Sequence, residues 1–297
     1  MQPSMWTSYL IELLPHDMAK VMAQHGWSTV ELSDEHGHDL LKLGDPAQVG
    51  ADFRRFAADL GLSFPQGHFY LANKGLRPED LAGRGTADIA PADDAAFAQA
   101  MEDMKRWVDL FNGLGVKAGV LHVGGYHLAE LGWSPERILE RRSQAVGQVA
   151  AYARGGVTQI CLENLTPAIG FASVDDAKEI LAAVDAPNVK ICLDTGHANI
   201  SGVCCAEFIR ELGPYLDALH IADNLGSNDD HILPYGRGTV PWPEVMAALR
   251  EVGYSGLFNF EVPGENRCPM PVRKAKLDYS RQLADWMIAC GGVRNGM

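Results

Sequence analysis

Four short apolar runs in the second half of the chain each end on a residue able to bind a divalent cation: Ile160-Cys-Leu-Glu163, Ile191-Cys-Leu-Asp194, Ala218-Leu-His220 and Phe258-Asn-Phe-Glu261. Near-continuous hydrophobicity marks parallel strands covered on both faces. A polar last residue on such a strand stands at the carboxyl edge of the sheet, where parallel α/β proteins keep their chemistry. Three carboxylates and one imidazole make a mostly hard donor set, suited to Mn2+ first and also to Mg2+, Co2+ or Zn2+. Their summed charge of about −3 exceeds that of a dication and leaves one carboxylate basic enough to move a proton. A cation polarising a hydroxy-carbonyl group acidifies the adjacent C–H. Two glutamates on opposite sides of the substrate can then take a proton from one face and deliver one to the other. Epimerisation needs that arrangement, and isomerisation can use the same groups through an enediolate.

These endings require strands in regular alternation with helices, and the chain supplies them nearly from end to end. Strands are expected at Met5–Leu10, Ser28–Ser33, Leu62–Gln66, Val116–Val123, Val157–Glu163, Val189–Asp194, Leu216–Ile221 and Leu257–Val262. Between them lie helical patterns at Pro15–His25, Pro46–Leu60, Ala95–Leu114, Ser134–Arg154, Ser173–Val184, Ala206–Leu212, Pro243–Val252 and Val272–Ala289. Proline at a first turn and serine at an N-cap mark several of the starts, and Phe97, Met101, Met104, Trp107, Val108 and Phe111 recur at helical spacing. Asp34-Glu-His-Gly-His38 and the Gly-, Pro- and charge-rich stretch from Leu71 to Asp93 read as loops. Alternation of this kind predicts an α/β fold, a (β/α)8 TIM barrel over residues 1–297 as a single domain. A doubly wound sheet would commonly carry G-x-G-x-x-G after its first strand, and none occurs there.

Other strand ends and loops add candidates for substrate binding. His122 and Glu31 lie near the ends of strands, and His68 follows one. Each is also explained by a hydrogen-bonded structural role. His36, His38 and His127 fall in predicted loops and are expected at the surface.

Composition sets limits on partners. The chain has 297 residues, 47% hydrophobic and 21% charged, an ordinary mixture for a large core, and its net charge of −13 argues against a broad nucleic-acid surface. Six cysteines without a CxxC spacing suggest reduced thiols in a cytoplasm. Neither a signal-peptide pattern nor an apolar run near the ~18 residues of a membrane span is present.

Taken in order, C-L-E-N-L-T at 161–166, C-L-D-T-G-H-A-N at 192–199, A-L-H-I-A-D-N at 218–224, D-D-H-I-L-P-Y-G-R-G at 229–238 and F-N-F-E-V at 258–262 resemble the xylose-isomerase-like superfamily, and within it the sugar phosphate isomerase/epimerase branch. The resemblance implies one divalent metal on Glu163, Asp194, His220 and Glu261, with Glu163 and Glu261 doubling as the acid/base pair. It implies a substrate- or ligand-orienting role for His197 and a substrate-binding one for Arg237. Tyr235-Gly-Arg-Gly238 departs from the Gly-Glu-Gly frequent in the branch, which leaves the substrate class open. A small carbohydrate is the expected partner, with no nucleic acid and no membrane. The 71–93 stretch suits a lid or a contact within a homo-oligomer.

Two other outcomes use the same residues. Proton abstraction beside a ketone can expel a β-leaving group, as in dehydratases and in eliminases that cleave 3-keto-glycosides. Apurinic endonucleases of the same fold hold three metals, and His68, His122, Glu163, Asp194, His197, His220, Asp229, His231 and Glu261 offer a ligand for every position. The acidic or neutral loops Asp34–His38, Asp88–Asp94 and Asn224–His231 speak against a DNA substrate.

Overall fold

In a computed structural model, which describes residues 1–265 and 267–290, eight short strands alternate with helices. The strands are β1 (Gln2–Met5), β2 (Thr29–Leu32), β3 (Ser63–His68), β4 (Ala118–Leu121), β5 (Gln159–Glu163), β6 (Val189–Asp194), β7 (Leu216–His220) and β8 (Leu257–Phe260). β2 to β7 form one parallel sheet in chain order, and β1 pairs in parallel with β8. Parallel bridges Trp6–Glu31 and Ile221–Phe260 link this pair to the two edges of the larger sheet.

The helices are α1 (Pro15–Gln24), α2 (Asp34–Leu41), α3 (Pro46–Asp59), α4 (Asp94–Leu114), α5 (Pro135–Ala153), α6 (Val174–Val184), α7 (Thr195–Ile200), α8 (Cys205–Leu212), α9 (Trp242–Glu251) and α10 (Met270–Cys290). Their starts follow the sequence signals. Asp45, Asp93 and Ser134 each accept the third backbone N–H of the following helix, and Ser173 with Asp176 forms a reciprocal capping box. Among the described residues no helix is long and apolar enough to cross a membrane.

Two segments depart from the sequence reading. Met5–Leu10 is not one strand: pairing with β8 ends at Met5, and Thr7–Leu10 winds into a 3-10 turn. Thr7 then receives the Ser33 amide on its side chain. Asp34–His38 is not a loop but the first part of α2, and His36 is fully buried among Ser33, Thr7 and the Leu13 carbonyl. His38 is half-buried on the Ala72 carbonyl, whereas His127 is exposed as expected. The 71–93 segment is irregular but pinned. Asp34 accepts the Leu71 and Ala72 amides, Arg77 bridges Asp39 and the Leu13 carbonyl, and Asp88 accepts the Ala90 and Gly125 amides.

Side-chain alternation along the strands aims the chemistry. Ala118, Val120, Cys161, Cys192 and Ala218 form a small buried cluster apart from the main core. His122, Glu163, Asp194 and His220 each follow one member of it by two residues and so share its face. On the outside, α3 and α4 approach so closely that a Cβ on Gly113 would lie 2.3 Å from the Ala47 carbonyl oxygen, and one on Gly50 2.4 Å from that of Leu110. We expect Gly113→Ala to destabilise the protein by about 1–3 kcal/mol, the usual cost of overpacking, in urea unfolding. An unchanged midpoint would contradict this close packing.

Candidate metal centre

Glu163, Asp194, His220 and Glu261 converge at the carboxyl ends of β5, β6, β7 and β8, all buried, with one ligand atom from each within 4.8 Å of the others. Their local bonding leaves specific atoms unused. Asp194 caps α7, accepting the His197 amide on Oδ1 at 2.6 Å, and its Oδ2 has no partner. His220 Nδ1 comes within 3.2 Å of Glu163 Oε1 and 3.1 Å of Glu261 Oε2. Neither approach has hydrogen-bond geometry, and His220 Nδ1 and Glu261 Oε2 also stay without partners. Three buried, orphaned polar atoms aimed at one point are costly unless something satisfies them. The donor set fits a divalent cation in that position.

The quartet does not stand alone. Glu163 Oε2 also meets His68 Nε2 at 3.1 Å and His122 Nε2 at 3.2 Å, a second ligand-like group. His197, Asp229 and His231 form a third: Asp229 Oδ2 lies 3.2 Å from His197 Nε2 and 3.1 Å from His231 Nε2. The histidines are oriented from behind, as metal-binding imidazoles commonly are. Nδ1 of His68, His197 and His231 faces the carbonyl oxygens of Phe69, Asn164 and Glu261 at 2.6, 2.9 and 2.8 Å. His122 Nδ1 meets the Tyr126 hydroxyl at 3.2 Å.

Each expected site residue now has a place. His68, His122 and His197 join the buried cluster around Glu163. Glu31 is fully buried, with Oε1 3.0 Å from His220 Nε2. Arg237 lies exposed on the rim of a cleft of about 370 Å³ that also includes His231, Tyr9, Val262 and Lys276. Sequence reasoning missed Asn164, which brackets the end of β6 by accepting the Asp194 amide at 2.7 Å and donating to the Asp194 carbonyl at 3.0 Å. It follows Glu163 directly in the C-L-E-N motif, which was the available signal. Asp229 and His231, part of the D-D-H motif and ligand candidates in the endonuclease reading, come together with His197 in the third group.

Without a cation, protons balance the charge. Burial disfavours charged imidazoles, but the Glu163 carboxylate outweighs it at His68 and raises that pKa to about 9. Asp194, Asp229 and Glu163 do the same at His197, to about 12, and Asp229 with Glu261 raises His231 to about 10. At His122 burial wins and the pKa falls. Burial raises Asp194 to about 7, whereas His220 and His231 hold Glu261 near 2 despite it.

The family is now established. The model of the xylose isomerase-like TIM barrel family matches residues 19–290, and the chain belongs to that family. It is 34% identical over 119 residues to the D-psicose 3-epimerase of Ruminiclostridium cellulolyticum, which spans 39% of each chain. A probable endonuclease 4 of Mesomycoplasma hyopneumoniae is 26% identical over 237 residues, 74% of this chain and 78% of that protein. The crystal structure of D-psicose 3-epimerase with D-tagatose from Clostridium cellulolyticum H10 superposes with a TM-score of 0.79 at 19% identity, covering 98% of this chain and all of that one. This last likeness speaks for the fold.

A pH dependence follows for the metal-free protein. His68 and His231 gain proton affinity on folding. Their contribution is complete below about pH 6.5, the ordinary imidazole value, and is lost as pH rises through about 9 and about 10. Its melting temperature should therefore fall between pH 6.5 and 10, and excess Mn2+ should flatten the fall, since a bound cation replaces the protons. A metal-free melting temperature independent of pH over that range would contradict the charge balance described.

Proposed function

We propose that this protein is a divalent-metal-dependent carbohydrate isomerase or epimerase that moves a proton at the carbon beside a carbonyl of a keto-sugar-like substrate. The observation that carries the reading is the placement of Glu163 and Glu261 on β5 and the end of β8, both buried and both converging on His220 Nδ1 at 3.2 and 3.1 Å. A cation held by Glu163, Asp194, His220 and Glu261 would polarise the carbonyl and acidify the neighbouring C–H. One glutamate would remove the proton and the other would return one. His68, His122 and His197 would set the proton affinity of Glu163 through their contacts with it. The cleft beside His231 would take the far end of the substrate, with Arg237 at its rim. The epimerase relatives support the small-carbohydrate substrate.

A second reading has its own observation. The groups His68–His122–Glu163 and His197–Asp229–His231 adjoin the quartet, and three such sites in contact favour multi-metal hydrolysis of a phosphoester. The relative named as a probable endonuclease points the same way. Metal content separates the two, with about one Mn2+ per chain for the isomerase and about three ions for the hydrolase.

Wild-type protein with Mn2+ should incorporate solvent deuterium into a keto-sugar, followed by NMR, and return it to sugar. Loss of water or of an aglycone would identify the eliminative outcome instead. Glu163→Gln and Glu261→Gln should each slow exchange by roughly 10²–10⁴-fold, the range for a removed acid or base. Exchange left intact in both would refute the mechanism. Arg237→Ala should raise KM several-fold with kcat little changed; equal loss in kcat would place Arg237 at the reacting centre.

A further inference from the structure

His220 is oriented differently from the other histidines of the site. His68, His197 and His231 turn Nδ1 toward a backbone carbonyl, and present Nε2 to Glu163 at His68 and to Asp229 at His197 and His231. His220 presents Nδ1 and turns Nε2 away, to Glu31 Oε1 at 3.0 Å. Glu31 is itself held: its Oε2 accepts from Asn259 Nδ2, and Asn259 Oδ1 accepts from the Ser4 hydroxyl at 2.8 Å. All four side chains are fully buried. They come from β2, β8, β1 and β7, which are the two edges of the six-stranded sheet and the pair between them.

The donor order along this chain has little freedom. Ser4 hydroxyl donates to the Asn259 carbonyl oxygen, which turns the Asn259 amide toward Glu31. A carboxylate only accepts, so both Glu31 oxygens require donors, one from Asn259 and one from His220. A neutral His220 therefore carries its proton on Nε2, which leaves the Nδ1 lone pair for the quartet. The backbone offers no carbonyl in this role for His220, and a carboxylate reaching across from β2 takes its place.

We propose that Glu31 is a positioning residue of the metal centre. Through the relay Ser4–Asn259–Glu31–His220 it fixes which nitrogen of His220 faces the cation and locks that choice to the junction between the β1–β8 pair and the sheet. The proposal rests on the reading of the quartet as a metal site and is independent of the substrate. It accounts for a buried glutamate that no proton-transfer step uses.

The test measures Mn2+ affinity by titration calorimetry on the full chain, without substrate. Glu31→Gln removes the double acceptor: its amide nitrogen must face either Asn259 Nδ2 or His220 Nε2. Affinity should fall ~10–100-fold, as for other lost orienting partners. In a His220→Ala background the same substitution should change affinity less than about two-fold, because the residue it orients is gone. Unchanged affinity in Glu31→Gln, or an equal loss in both backgrounds, would overturn the relay and show general loosening or no role. If Glu31→Gln does not fold, histidine-selective 15N NMR of the Zn2+-loaded wild-type protein decides. The proton should sit on Nε2 of His220 and on Nδ1 of His68, and a proton on Nδ1 of His220 would overturn the proposal. Failure of the wild-type protein to bind any divalent cation would overturn the metal reading itself, an outcome distinct from a bound cation that ignores Glu31.

Discussion

The Glu163 carboxylate is the group on which the rest of the site depends. It is almost wholly removed from water, and an anion so placed persists only with counter-charge at contact. Four imidazoles touch it, His68 and His122 on one oxygen and His197 and His220 on the other, and His68 and His197, whose proton affinity it raises, supply charge. These histidines come from β3, from the segment after β4, from α7 and from β7, so satisfying one carboxylate draws together elements more than a hundred residues apart in sequence. Each imidazole is also tethered through its second nitrogen, which limits its rotation. Such preorganisation suits chemistry that needs charge stabilised without reorganisation.

Much of this was legible in the sequence because the informative residues obey the strand period. β6 coincides with its expected range, Val189–Asp194, since a run apolar except for Lys190, between Pro187-Asn188 and a polar end, leaves little choice. The quartet was legible for the same reason: each member closes such a run. What failed did so through tertiary contacts. Met5–Leu10 has strand-like composition, but Thr7 and Tyr9 have partners elsewhere, and the backbone coils to reach them. The charged Asp34–His38 looks solvated, yet its polar groups turn inward to satisfy the Thr7 hydroxyl, the Leu13 carbonyl and the Leu71 amide. Glu31 illustrates the limit best. Its position near the end of β2 is visible in the sequence, but no periodicity reveals that its side chain meets the back of His220.

The two chemistries proposed for this cage would differ in how many of its positions are filled. Proton transfer needs the quartet, while the flanking groups can serve as bound protons and hydrogen bonds. Hydrolysis of a phosphoester would put ions in those same places. The 71–93 segment is anchored by Asp34, Arg77 and Asp88.

Asp194 serves two masters with its two oxygens. One holds the first turn of α7 through the His197 amide, and the other points into the quartet. His197 in turn reaches Asp229 through its ring. Any rotation of the Asp194 carboxylate that released a cation held as proposed would therefore also uncap a six-residue helix and disturb the group beyond it. For a cation held as proposed, ion release and the fraying of α7 would become one process, so a helix end would help to set how long the ion stays.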